Sequence, residues 1–442
     1  MVATKIIVLD DDPTGSQTVH SCLLLTRWDE ATLREALNDA APLFFILTNT
    51  RALSATQAAR VTREVCGNLR AVLDMMQRAG LAIHPLIVSR SDSTLRGHYP
   101  VETDVIAQEL GPFDAHFLIP AFFEAGRVTR DSVHYLRVEN EWVPVHQTEF
   151  ARDSLFAYQH SYLPDYVEEK TQGRIRADQV QRFTLAEVCG AVATRLCTLN
   201  GNVCCVVDAE QQSDLDHFCA ALKEAVAAHG KRFLFRSAAS LLTSLAQLPP
   251  QPVQAESMGQ WTRGGKPGVA IIGSHVAKTT AQLNILLQQP NIAGIELNVS
   301  RLPQERAKLL RATLQRINAH HRDGLTSVVY TSRVERRFAT PAERLLFGEQ
   351  ISGLLMDIVQ QLPRDVGFLI SKGGITSNDT LSTGLALRIA RLLGQVLPGV
   401  SMVRCPAEHP HYPHLPVVIF PGNVGDENAL ATVYNRLSQP TL

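Results

Sequence analysis

Apolar residues fall in short, uninterrupted runs separated by longer stretches with helical spacing. The first run, Ile6-Ile7-Val8-Leu9, lies close to the N-terminus and reads as a buried parallel strand. Further strands are predicted at Leu43-Thr48, Ile83-Ser89, His116-Ile119, Val203-Val207 and Arg232-Phe235. Between them, helices are predicted at Glu30-Ala40, Ala55-Ala79, Val101-Leu110, Leu185-Leu199, Leu215-His229 and Ala238-Leu245. This alternation predicts a mainly parallel sheet covered on both faces. The segment His134-Phe150 breaks the rhythm and reads as a hairpin or arm projecting from the domain.

Pro249-Pro250-Gln251-Pro252 and Arg263-Gly264-Gly265-Lys266-Pro267-Gly268 mark a boundary, after which the rhythm restarts. Strands are then predicted at Val269-Ile272, Gly294-Asn298, Ser327-Thr331, Val366-Ile370, Ser401-Cys405 and Val417-Phe420. Phe347, Ile351, Leu354, Ile358 and Leu362 recur at helical spacing. The expected fold is two α/β domains with mainly parallel sheets and a cleft between them. The expected division is residues 1–248, a linker over 249–268, and residues 269–442.

At 442 residues, two domains are the default. The formal net charge of −1 implies no basic face, which speaks against nucleic acid as a partner. The chain enters a strand directly after Met-Val-Ala-Thr-Lys, and no apolar run is long enough to cross a bilayer. A soluble cytoplasmic protein is expected. The eight cysteines are scattered without CxxC spacing. His409, His411 and His414 alternate with prolines and read as a rigid loop, so no metal site is assigned.

The first strand ends in Asp10-Asp11-Asp12-Pro13-Thr14-Gly15. Pro13 and Gly15 stop the strand and present the carboxylates at the edge where open α/β sheets bind ligands. Three adjacent carboxylates need a cation or hydrogen-bond donors. The third strand leads into Ser89-Arg90-Ser91-Asp92-Ser93-Thr94-Leu95-Arg96-Gly97, a set suited to a small hydroxylated anion. In the second half, Gly273-Ser274, Lys372-Gly373-Gly374-Ile375-Thr376 and Pro421-Gly422-Asn423 each follow a strand. Three such turns suggest a nucleotide site, with Lys372 and Thr376 adding a charge and a hydroxyl; the Gly273-Ser274 turn is not a Walker A loop, since Lys278-Thr279 come too late.

With these stretches assembled, the chain resembles the four-carbon acid sugar kinase family, once known only as a domain of unknown function. Pro120-Ala121-Phe122, Gly126-Arg127 and Thr148-Glu149-Phe150-Ala151-Arg152-Asp153 add to the match. The resemblance implies an N-terminal domain that binds a sugar acid and a C-terminal domain that binds ATP. Members phosphorylate a hydroxyl of threonate, erythronate or a 3-oxo-tetronate. Carried over, Ser274, Gly373, Gly374, Ile375, Thr376 and Gly422 would line the nucleotide, and Asp11, Asp12, Arg90, Asp92 and Arg96 would face the acid. Many relatives have Glu where this chain has Ile375, and Asn378 stands where they have Gly.

On this reading Arg90 and Arg96 hold the substrate carboxylate. Asp12, with Asp11 or Asp92 as substitutes, takes the hydroxyl proton, and Mg²⁺ bridges the phosphates. Two alternatives remain at this stage. One is a haloacid-dehalogenase-like phosphatase, with Asp10 as nucleophile, Asp12 as acid and Mg²⁺ as partner. The other is a non-catalytic sugar-acid sensor. A homodimer is the assembly that an α/β enzyme of this size suggests, although no stretch marks an interface.

Overall fold

The computed structural model describes residues 3–81, 83–190, 192–333 and 341–438. The chain forms two compact units, Met1–Leu248 and Pro249–Leu442.

The first unit is built on strands β1 (Ala3–Asp10), β2 (Leu23–Leu25), β3 (Leu43–Leu47), β4 (Ile83–Arg90) and β5 (Ala115–Ile119). A small antiparallel set follows, β6 (Arg127–Arg130), β7 (Val133–Val138) and β8 (Glu141–Pro144), and then β9 (Gln181–Phe183), β10 (Val203–Val207) and β11 (Phe233–Ser237). The main sheet runs β2-β3-β1-β4-β11-β5-β10-β9, all parallel. β1 is central, which explains its unbroken apolar run: Ile7 and Val8 are fully buried. Register places Asp10 beside Arg90, Arg90 beside Ser237, and Ser237 beside Ile119. Four strand ends therefore form one polar edge. The helix Ala55–Arg78 covers part of the sheet, and its start is fixed by a reciprocal Ser54–Gln57 capping box.

The β6–β8 set is the predicted hairpin with one extra strand, and it does not simply project. Thr129 and His134 are fully buried, and Leu136 and Val145 join a core with Tyr158 and Tyr166. The outer end of the set leaves Val138 and Trp142 exposed. The helix expected over Leu185–Leu199 is instead two short ones, Leu185–Val188 and Val192–Thr198; residue 191 lies outside the described residues.

The second unit contains β12 (Val269–Ile272), β13 (Ile292–Leu297), β14 (Thr326–Thr331), β15 (Leu369–Lys372), β16 (Ile389–Leu397), β17 (Val400–Arg404) and β18 (Pro416–Phe420). Their order is β13-β14-β12-β15-β18-β17-β16, with β17 antiparallel to both of its neighbours. Residues 249–268 are not a free connector. Met258 lies fully buried in this unit's core, and the Gln251 side chain bonds the backbone of Gln395. Among the described residues no helix is long and apolar enough to cross a membrane.

Candidate functional site

Two polar faces meet at the carboxyl edge of the first unit's sheet. On one, Asp10 is fully buried beneath the turn at Gly15, where an added Cβ would come within 2.0 Å of Asp10 Oδ2. Arg90 Nη1 lies 3.5 Å from Asp10 Oδ1 and is itself sealed from solvent. Burial pushes the Asp10 carboxyl up to about 8, Arg90 offsetting only part of the cost and Asp11 adding to it. Asp10 is thus mostly neutral at pH 7. A phosphatase nucleophile must be open to phosphate, and the full burial of Asp10 against Arg90 speaks against that role.

On the other face, Arg51 spans two carboxylates. It pairs with both oxygens of Asp11, its Nε standing 3.2 Å from Oδ2, and its Nη1 is 3.3 Å from Asp12 Oδ2. Asp11 is further held by Ser91 Oγ at 2.6 Å. Ser91 accepts from Arg236 Nη2 at 2.7 Å, and Arg236 Nη1 donates to Glu102 at 2.6 Å and to Ser89 at 2.8 Å. Glu102 also accepts from Thr50, the neighbour of Arg51. The chain Glu102–Arg236–Ser91–Asp11–Arg51 thus returns through Thr50 to its start. Gly97, at φ +117°, lies so close that a Cβ would meet Ser91 Oγ at 2.5 Å and Arg236 Nη2 at 2.7 Å.

Asp12 is more open. Its Oδ1 accepts from the Thr14 amide at 2.8 Å and the Thr14 hydroxyl at 2.5 Å. Burial would raise its pKa, but Arg51 and Thr14 outweigh it and keep the carboxylate ionised, below its ordinary range. Asp92 is likewise held below its ordinary range. Burial again opposes ionisation, and Arg96, Arg51 and Thr94 win. Arg96 Nε donates to Asp92 at 2.7 Å, Nη1 lies 3.5 Å from Asp153, and its guanidinium covers the Phe150 ring at 4.9 Å. Of the predicted residues, Asp11, Asp12, Asp92 and Arg96 come together. Arg90 reaches the same edge but turns inward to Asp10. Arg51, Glu102 and Arg236 were not anticipated. Only the position of Arg51, just past the end of a strand adjacent to β1, offered a signal.

In the second unit, register aligns Ile272, Lys372 and Phe420 on β12, β15 and β18, so the three glycine turns stand side by side. Gly373 adopts φ +116°, and its amide donates to Phe420 O at 2.9 Å. A Cβ on Gly422 would meet only Ser274 Oγ, at 3.7 Å, so its face is open. The first turn of the helix Gly374–Asp379 presents amides without intrahelical acceptors. Ser274 Oγ pairs with Thr279 Oγ1 at 3.1 Å, and Ile375 is 63 % exposed. This donor set fits a phosphate chain. Lys372 departs from the expectation of a phosphate-facing charge. It is fully buried, donates to Pro421 O at 2.5 Å and Gly422 O at 3.3 Å, and sits 4.0 Å from the Phe420 ring centre. Burial, reinforced by Lys278, depresses its pKa to about 7. His409 Nδ1 accepts the amides of His411 and Tyr412, as a rigid loop requires.

A sugar-binding N-terminal domain model matches residues 6–245, and a nucleotide-binding C-terminal domain model matches residues 269–430. The chain belongs to the four-carbon acid sugar kinase family. A curated relative is the D-erythronate kinase of Heliobacterium modesticaldum, 24 % identical over 98 % of this chain and 97 % of that protein. Solved structures share the fold. A Haemophilus influenzae protein aligns with TM-score 0.64 at 18 % identity over 98 % of this chain and 100 % of that one. A Salmonella typhimurium protein aligns with TM-score 0.68 at 18 % identity over 98 % of each. Within the family's architecture, the carboxylate–guanidinium edge lies in the sugar-binding domain and the glycine turns lie in the nucleotide-binding domain.

Proposed function

We propose that the protein is an ATP-dependent kinase that phosphorylates a hydroxyl of a four-carbon sugar acid: threonate, erythronate or a 3-oxo-tetronate. The observation that carries this reading is the alignment of three glycine turns in the domain matched as nucleotide-binding, in a chain related end to end to a D-erythronate kinase. Ser274, Gly373, Gly374, Ile375, Thr376 and Gly422 line the nucleotide. Backbone amides cradle the phosphates, and Ile375 offers an apolar surface.

Asp12 orients the acceptor hydroxyl and takes its proton late in transfer. Its low pKa suits that timing, because little negative charge builds on the hydroxyl before the phosphorus–oxygen bond forms. Asp11 and Asp92 are the substitutes for that role, and Arg96 and Arg90 contribute positive potential. Mg²⁺, when bound with the nucleotide, neutralises charge on the phosphate oxygens. Among the described residues no group of three His, Cys, Asp or Glu side chains is placed to hold a metal ion.

The test is ADP release from Mg-ATP across D- and L-threonate, D- and L-erythronate and their 3-oxo forms. Acid-dependent ADP from one member establishes the kinase and names its substrate. Acid binding without ADP release favours a sensor. Absence of ATP binding sinks the reading of the second domain.

A further inference from the structure

Five arginines crowd the carboxyl edge of the first unit, and four of them face a carboxyl group of the protein. Arg51 spans Asp11 and Asp12, Arg90 faces Asp10, Arg96 binds Asp92, and Arg236 binds Glu102. Arg127 differs. Among the described residues it has no carboxylate within ion-pair distance; Nη1 donates to Ala125 O at 2.6 Å, and the buried Nε has no acceptor. Burial lowers its pKa, with Asp92 and Glu149 near enough to return part of the loss and Arg96 near enough to add to it. A cation withdrawn from water without a partner is costly. The fold nevertheless holds it in place. Arg127 and Phe122 exchange backbone hydrogen bonds at 2.9 and 3.0 Å across a turn closed by Gly126 at φ +68°. One strand away, His134 ties this sheet to the site loop, Nε2 meeting Ser93 O at 2.8 Å and Nδ1 meeting Thr129 Oγ1 at 2.9 Å.

We propose that Arg127 is the specificity-determining cation that receives the substrate's carboxylate. The inference rests on the sugar-acid kinase reading and deepens it. A guanidinium edge grips a carboxylate through two parallel N–H···O bonds. The acid then supplies the missing counter-charge, whereas a neutral tetritol would leave Arg127 as it is in the free protein. Discrimination for an acid over a polyol follows.

The experiment is calorimetric titration of the full-length protein with sodium D-erythronate and D-threonate, without nucleotide, for wild type, Arg127→Met and Arg127→Lys. Urea unfolding of each is measured alongside. Arg127→Met is expected to weaken binding of the preferred acid by about a hundredfold, the worth of a charge-assisted pair. It should leave ATP affinity unchanged and should not lower the urea midpoint, since it removes a half-buried charge that has no ion-pair partner among the described residues. Arg127→Lys should fall between. Undiminished acid binding by Arg127→Met overturns the inference while the kinase reading stands. A fall in urea midpoint that tracks the loss of binding, both restored by Lys, assigns Arg127 a structural role and also overturns it. If Arg127→Met does not fold, acid binding by Arg127→Lys as tight as wild type does the same. A wild type that binds neither acid, and none of the L- and 3-oxo forms when these are titrated in turn, removes the tetronate substrate on which the inference rests.

Discussion

Gly15 lies directly over the carboxyl group of Asp10: a Cβ at position 15 would stand 2.0 Å from Oδ2 and 2.3 Å from Oδ1. No rotamer of a fully buried Asp10 escapes this easily, because Arg90 and Asp12 border it. Gly15→Ala is therefore expected to destabilise the first unit by about 1–3 kcal/mol, the range for overpacking. The cost should shrink when Asp10→Ala is already present. Urea denaturation of both single variants and the double variant measures the coupling. Additive effects would mean that the two residues do not touch.

Asp10 also gives stability a pH dependence. Its folded pKa is raised to about 8 from 3.8, so between those values the folded state holds a proton that the unfolded chain has lost. The contribution is fully present below about pH 3.8 and fades as pH rises through about 8. Unfolding of wild type and Asp10→Asn at pH 6 and pH 9 provides the check. Wild type should lose stability over that interval, and the variant should lose much less. Equal slopes would place the Asp10 pKa in the ordinary range.

Arg236 and Glu102 form a buried pair within the ring of hydrogen bonds that holds Asp11. Removing one partner leaves the other charge stranded, at a cost of about 3–5 kcal/mol. Glu102→Gln and Arg236→Met should each approach that figure, while the double variant should cost well under their sum. The measurement is a double-mutant cycle in urea. A coupling near zero would mean that water already screens the pair.

The uneven legibility of the sequence has a physical origin. Val203-Val207 and Val269-Ile272 were found to the residue, because strands buried on both faces are written as unbroken apolar runs. β2 and β9 were missed: each has three residues, too few for a periodic signal. Ile389–Leu397 was missed because its sequence does not alternate apolar and polar residues, and Gly394, at φ +131°, interrupts it. The acidic loop, the Arg90–Gly97 loop and the glycine turns were visible because strand ends concentrate polar residues. Glu102 and Arg236 were not. They lie 134 positions apart, and only the adjacency of β4 and β11 brings their surroundings together. The inward turn of Arg90 was also hidden, since it depends on side-chain geometry that residue identity does not carry.

Lys372 should make nucleotide binding take up protons. Its folded pKa of about 7 leaves a sizeable neutral fraction at pH 7.5, and phosphates arriving at the adjacent turns would favour the ammonium form. Titration with ATP at pH 7.5 in buffers of different ionisation enthalpy should reveal uptake of a fraction of a proton. Lys372→Met should abolish that uptake while weakening the tie to Pro421 and Gly422. Identical buffer dependence in wild type and variant would refute the link. The same shift carries a stability signature opposite in sign to that of Asp10. The unfolded chain binds more protons between pH 7 and pH 10.5, so this contribution grows as pH rises through that window.

Asp12 carries the sharpest prediction about catalysis. Asp11 has both oxygens engaged by Arg51 and a further bond from Ser91, and Asp92 is engaged by Thr94 and Arg96. Among the described residues Asp12 Oδ2 has one contact, Arg51 at 3.3 Å, and is the more open to a substrate hydroxyl. Asp12→Asn preserves shape and the bonds from Thr14 but cannot accept a proton. Turnover should fall about 10²- to 10⁴-fold, the usual worth of a positioned base. ATP affinity should stay as in wild type, because the nucleotide turns belong to the other unit. The measurement is single-turnover phosphoryl transfer alongside ATP titration. Normal turnover in Asp12→Asn, with lost turnover in Asp92→Asn, would move the base to Asp92. Loss in neither would mean that alignment and charge neutralisation suffice without a protein base.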